Sequence, residues 1–221
     1  MELSGELFNT QWLIVMGLGL LPLYWFALKW TNYQRLQKEQ LFSPYFGAIV
    51  FLLVLWTLRT ELQDGLYWHV SGMVFFTLMW GWSLALIGGL LGLIGLTLAG
   101  LNDWPGMIPT LWLQVILPAT LTQVVLGLVR AYLPKHFFIF IFINAFFCGG
   151  LSAVVGALFA SLLLLLGGGY EWVALKNEYL VLMPLMIFPE AFINGGVTTV
   201  LVGLRPKWVW SFRDEEYLHG R

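Results

Sequence analysis

The stretch WHVSGMVFFTLMWGWSLALIGGLLGLIGLTLAG, from Trp68 to Gly100, contains no Asp, Glu, Lys or Arg. About 20 apolar residues cross the ~30 Å hydrocarbon layer of a bilayer as a helix, so this run holds material for two crossings. It divides into candidate spans at 66–80 and 82–101, the first short and polar at its start. Applied outward, the same reading gives further spans at 11–30, 43–59, 107–129, 137–166 and 179–204. The sixth in chain order, 137–166, is long enough to tilt or to run past the membrane surface. Strong strand alternation is absent, which argues against a β-barrel.

Composition agrees. Of the 221 residues 59% are hydrophobic and 10% charged, with a mean hydropathy of +0.81. A soluble domain is roughly 45–50% apolar and about 25% charged. This chain cannot cover itself with polar groups, and the solvent it calls for is lipid. The net charge of −1 gives no pull toward nucleic acid, and no basic run with interleaved aromatics suggests one. Cys148, the sole cysteine, rules out an internal disulfide and any cysteine-based metal cluster. The start carries Glu2 and Glu6 but no base, and the apolar stretch Trp12–Trp30 outruns a signal h-region, so the first segment is expected to stay as a helix.

Basic residues favour cytoplasmic loops. With the N-terminus outside, Lys29, Arg35, Lys38, Arg130, Lys135, Arg205, Lys207, Arg213 and Arg221 fall inside, and only Arg59 and Lys176 fall outside. The expected fold class is therefore all-α: a polytopic integral membrane protein of about seven transmembrane helices, N-terminus outside and C-terminus cytoplasmic. No repeat or linker divides it, so residues 1–221 read as one transmembrane domain with 205–221 a cytoplasmic tail. Trp12, Trp30, Trp56, Trp80, Trp82, Trp104, Trp172, Tyr179 and Trp208 sit near predicted span ends and read as an aromatic belt. Gly88, Gly92 and Gly95 form a small-residue ridge for close helix packing.

A polar side chain in lipid is costly unless it faces protein or water, so each one is a candidate. The turn RTELQDGLYWHVSGM gathers Arg59, Glu61, Asp64 and His69 at the outer surface. Imidazole is the commonest side-chain metal ligand, and His69 reads as a metal ligand or as a hydrogen-bonded packing residue. In FPEAFINGG, Glu190 and Asn194 share one helix face, beside Pro184 and Pro189, which free backbone carbonyls. The pair can line a polar site or tie helices together. Gln114, Gln123 and Asn144 read as interhelical hydrogen-bonding groups, and His136 and His219 as incidental cytoplasmic residues. No GxxxxGK[ST], HExxH, paired-cysteine or GxSxG motif occurs, so this chain offers no nucleotide site and no case for an enzyme.

The Trp68–Gly100 run, the Trp/Pro/Gly loop after it and the polar-dotted fifth span resemble the cobalt/nickel substrate-binding (CbiM-like) permease components of energy-coupling factor ABC transporters. The last span and tail, FPEAFINGGVTTVLVGLRPKWVWSFRDEEYL, are similar to a divergent bacterial branch of energy-coupling factor permeases. The resemblance covers about residues 45–218. It implies a bacterial inner-membrane component that captures a divalent transition metal, nickel- or cobalt-like, as substrate. Its expected partners are membrane lipid, a transmembrane coupling subunit and separate P-loop ATPases. In that family the N-terminal amine, a histidine after Met1 and a histidine matching His69 surround the ion. Here His69 is kept, but the chain begins Met1-Glu2-Leu3-Ser4. Glu2, Glu6, Glu61 or Asp64 would have to contribute oxygens, which suit harder ions better than Ni²⁺ or Co²⁺. On this reading solute arrives near His69, Asp64 and Glu61, and Glu190 and Asn194 line or gate the interior. The tail, rich in Trp208, Trp210 and Phe212, would dock a coupling partner at the membrane surface. The rival reading is a non-transporting accessory or assembly subunit of a larger membrane complex.

Overall fold

The computed structural model describes residues 2–167 and 169–217; His219 and Arg221, assigned above to the cytoplasmic side, lie outside them, as does the N-terminal amine. The helices are α1 (Thr10–Trp30), α2 (Tyr33–Lys38), α3 (Phe42–Thr57), α4 (Met73–Trp80), α5 (Trp82–Leu98), α6 (Met107–Tyr132), α7 (Phe137–Gly167), α8 (Trp172–Leu204) and α9 (Asp214–Tyr217). Among them α1, α6, α7 and α8 are long and apolar enough to cross a bilayer, and α3 and α5 are shorter apolar helices. The fold class is the expected polytopic helical bundle. The last long helix begins at Trp172 rather than 179, because π-helical turns over Leu175–Tyr179 and a 3₁₀ turn over Leu180–Leu182 precede Met183. Regular α geometry resumes where Pro184 pre-sets the backbone at the start of a helical segment.

The candidate span 66–80 is not one helix. Its first part is a strand, β3 (Leu66–Trp68), paired antiparallel with β2 (Thr60–Gln63) and with β1 (Glu2–Leu3), in the order β1-β3-β2. Asp64-Gly65 forms the hairpin turn, with Gly65 in the left-handed region at φ +76°. The eight residues of α4 rise only about 12 Å, too little to cross a bilayer. Before it the chain is non-helical, running from β3 through residues 69–71 to Gly72, which turns into α4 in the left-handed region. Such backbone survives at membrane depth only inside protein, and every residue of α4 is buried. The half-helix sits at the centre, packed by α5, α6, α7 and α8.

Small residues make that packing possible. A Cβ on Gly88 would lie 2.6 Å from the Phe76 ring, one on Gly92 2.8 Å from Trp56, and one on Gly95 3.0 Å from Leu53. The ridge on α5 is thus an internal packing face. Trp56, Trp80 and Tyr179 leave the predicted aromatic belt and join the core, each 1% exposed or less. Their ring area is better buried against partners: Trp56 donates Nε1–H to the Ser71 carbonyl, and Trp80 meets Tyr45 and Trp210 edge to face. Trp30, Trp104 and Trp172 remain exposed, as a belt requires.

The segment after α8 folds back onto the bundle. Trp210 N–H donates to the Met79 carbonyl at 2.9 Å, and Ser211 Oγ donates to the Leu78 carbonyl at 2.7 Å. These carbonyls belong to the last turn of α4 and have no partner within that helix. Val209, Phe212 and Tyr217 are buried, while Arg213 and Asp214 stay exposed. Outside the bundle, Lys135 hydrogen-bonds Glu216 and holds its carboxyl below the usual range.

Candidate functional site

A helix begins with backbone N–H groups that its own turns cannot satisfy. At α4 Ser71 Oγ accepts from Met73 N–H at 3.3 Å, and Gly72 enters the helix at φ +68°. The rest of the cap comes from α8. Glu190 Oε2 accepts from Ser71 N–H at 2.8 Å and Oε1 accepts from Gly72 N–H at 3.3 Å. One turn on, Asn194 Oδ1 accepts from Phe75 N–H at 2.9 Å, and its amide nitrogen donates back to Glu190 Oε1 at 2.9 Å. A carboxylate at a helix N-terminus also meets the positive end of the peptide dipoles. Close approach of α7 allows this: a Cβ on Gly149 would lie 2.9 Å from the Glu190 carbonyl oxygen.

The opposite wall comes from α6. Pro118 has no N–H to give to the carbonyl four residues back, which is that of Gln114. The helix widens into π turns over Leu111–Ile116, and Ser71 Oγ donates to the freed Gln114 carbonyl at 3.2 Å. Between these walls lies a cavity of about 20 Å³, into which His69, Ser71, Gln114, Ser152 and Glu190 converge. A volume of about 10–15 Å³ admits one water, so the space suits a guest of that size or a bare ion.

His69 is 2% exposed. Its Nδ1 lies 3.1 Å from the Val70 carbonyl, and the Gln114 side chain also hydrogen-bonds the ring. An Nδ1–H donated to that carbonyl puts the lone pair at Nε2, the tautomer a metal ligand needs. His69 and Glu190 thus share one cavity, and Asn194 supports Glu190 from outside its lining. Glu61 and Asp64 are exposed on the hairpin and do not line it: Glu61 Oε1 accepts from Gly65 N–H, and the Asp64 carbonyl accepts from Tyr170 OH. Glu2 turns to Arg59, whose guanidinium also stacks on Tyr67. Burial raises the Glu2 carboxyl above its ordinary range, against the opposing pull of Arg59.

Sequence reasoning passed over Ser71 and Ser152 and took Gln114 only as a tie between helices. The one available signal was Pro118, whose missing donor marks Gln114 four residues earlier. Among the described residues no group of three or more His, Cys, Asp or Glu side chains could hold a metal together. The donor set around the cavity is one imidazole, one carboxylate, two hydroxyls and an amide.

No curated protein shows significant similarity to the chain. A crystal structure described as a truncated transition metal transporter superposes with a TM-score of 0.76. The match covers 92% of this chain and 99% of that one at 17% identity, a likeness of fold alone. The family pattern described as the cobalt uptake substrate-specific transmembrane region, CbiM, matches residues 3–208. A polytopic bundle with a buried histidine at an ion-sized cavity, matched over nearly its whole length, belongs to the CbiM family of metal-transport membrane components.

Proposed function

We propose that the chain is the substrate-capture component of an energy-coupling factor type ABC transporter and takes up a divalent transition metal ion, cobalt- or nickel-like. The observation that carries this reading is the convergence of His69 and Glu190 on one ion-sized cavity inside an otherwise apolar bundle. Imidazole nitrogen favours borderline metals over Mg²⁺ and Ca²⁺. The Glu190 carboxylate supplies countercharge where an unpaired cation would be costly. The chain crosses a bacterial inner membrane seven times, with residues 66–80 as the broken third crossing and the N-terminus outside, so the hairpin faces the ion source. ATP hydrolysis and coupling belong to separate subunits, in keeping with the absence of a P-loop motif here.

One observation favours the accessory-subunit alternative: position 2 holds a glutamate engaged by Arg59. Metal analysis of purified protein, wild type beside His69→Ala, after titration with Ni²⁺, Co²⁺, Zn²⁺ and Cu²⁺, separates the two. Near-stoichiometric uptake of one metal, lost in the variant, is expected. No binding in either protein would replace capture with the accessory role.

A further inference from the structure

The three-stranded sheet divides two cavities. Side chains alternate across a strand, and on β3 Trp68 lines the His69 cavity while Tyr67 lines a separate cleft of about 380 Å³. Glu2, the partner of Tyr67 in the β1–β3 pairing, lines the same cleft, and Leu3 beside it is fully buried. The two cavities share no lining residue.

The cleft is polar and acidic. Glu2, Glu6 and Asp103 line it together with Arg59, Tyr67 and Asn102. Arg59 offsets the charge of Glu2 through Oε1, and Glu6 and Asp103 leave the cleft negative. Asp103 is held in place by the N–H groups of Gly5 and Gly106 and by the Ser4 hydroxyl. The exposed Glu6 carboxylate makes no hydrogen bond or ion pair among the described residues. Glu2 is 2% exposed, yet its Oε2 has no partner, and the buried amide nitrogen of Asn102 has none either. Buried polar atoms are rarely left so, and two in one polar cleft mark it as the seat of a hydrated guest.

Size decides the form of that guest. One water takes about 30 Å³, so a divalent ion with six waters needs roughly 180 Å³. The cleft accommodates this, whereas the His69 cavity of about 20 Å³ does not. No three carboxylates or imidazoles among the described residues converge closely enough to ligate a metal directly. The acids therefore reach an ion through its water, whose polarised O–H groups donate to Glu2 Oε2, Glu6 and Asp103.

We propose that this cleft is a binding site for a fully hydrated divalent cation, held by its water shell on the opposite face of the sheet from the His69 cavity. A cleft lined by one sign of charge raises the local concentration of counter-ions, so it gathers the ion before the ion sheds its water. That onward step rests on the capture reading above; the site itself does not.

Hexaamminecobalt(III) is the probe. It has the size of a hexaaqua ion, donates N–H bonds from its shell, and does not exchange its ligands to enter the His69 cavity. The full chain in neutral-detergent micelles is dialysed against the complex, and bound cobalt is counted by elemental analysis. One equivalent is expected in wild type and in His69→Ala alike. Glu6→Gln, which removes a charge but no contact, should weaken binding roughly tenfold. Asp64→Asn, on the hairpin outside the cleft, should leave it close to unchanged. No binding in wild type, or equal weakening by the two substitutions, would overturn the site, and Co²⁺ uptake at His69 in that protein would leave the capture reading standing. Binding that depends on Glu6 in a protein that takes up no Co²⁺ would keep the cleft and reject the capture reading.

Discussion

Removing the Glu190 carboxylate would strand the N–H groups of Ser71 and Gly72 in the centre of the bundle. Each abandoned buried donor costs about 1–3 kcal/mol. Glu190→Ala should therefore lower stability by several kcal/mol in denaturant titrations of the solubilised protein. Glu190→Gln keeps one accepting oxygen and should lose less. Equal stability of wild type and Glu190→Ala would show that the cap does not hold α4. The sharing of a face by Glu190 and Asn194 was readable from their spacing. Their partners were not, because Ser71 lies 119 residues away and contributes a backbone group rather than a side chain. Likewise His69 stood out as the one imidazole in the long apolar run, while its neighbour Gln114 depended on a missing proline donor.

Among the elements, the long helices were legible because length and apolar content suffice to define them. The span 66–80 was not, since an apolar segment buried in protein scores alike whether extended or helical. Asp64-Gly65 was the readable warning of a hairpin. Core and lipid are equally apolar, so Trp56 and Trp80 could not be told from belt residues by position alone. Adjacent glycines on α8 separate the two environments. A Cβ on Gly195 would lie 2.2 Å from the Phe146 ring, whereas one on Gly196 meets nothing within 4 Å. Gly195→Ala should cost about 1–3 kcal/mol through overpacking, and Gly196→Ala should be close to neutral; thermal unfolding of the two variants checks the contrast. Equal shifts would contradict the packing of α7 on α8.

At the scale of the whole molecule, polar groups concentrate around one buried half-helix. Glu190 and Asn194 hold its start, and Trp210 and Ser211 hold its end. The tail, expected at the membrane surface as a docking segment, closes the bundle through Val209–Tyr217 and leaves charged side chains outside. Composition announced the solvent of this molecule, but not that the sequence-distant segments around Glu190 and Trp210 would meet at α4. The central claim is that a transition metal ion enters the cavity between His69 and Glu190. The most direct measurement is anomalous scattering at the cobalt edge from crystals of the wild-type protein grown with Co²⁺. The account predicts one peak inside the cavity, within coordination distance of the His69 imidazole. A peak confined to Glu61 and Asp64 on the hairpin, or no ordered cobalt at saturating metal, would contradict it.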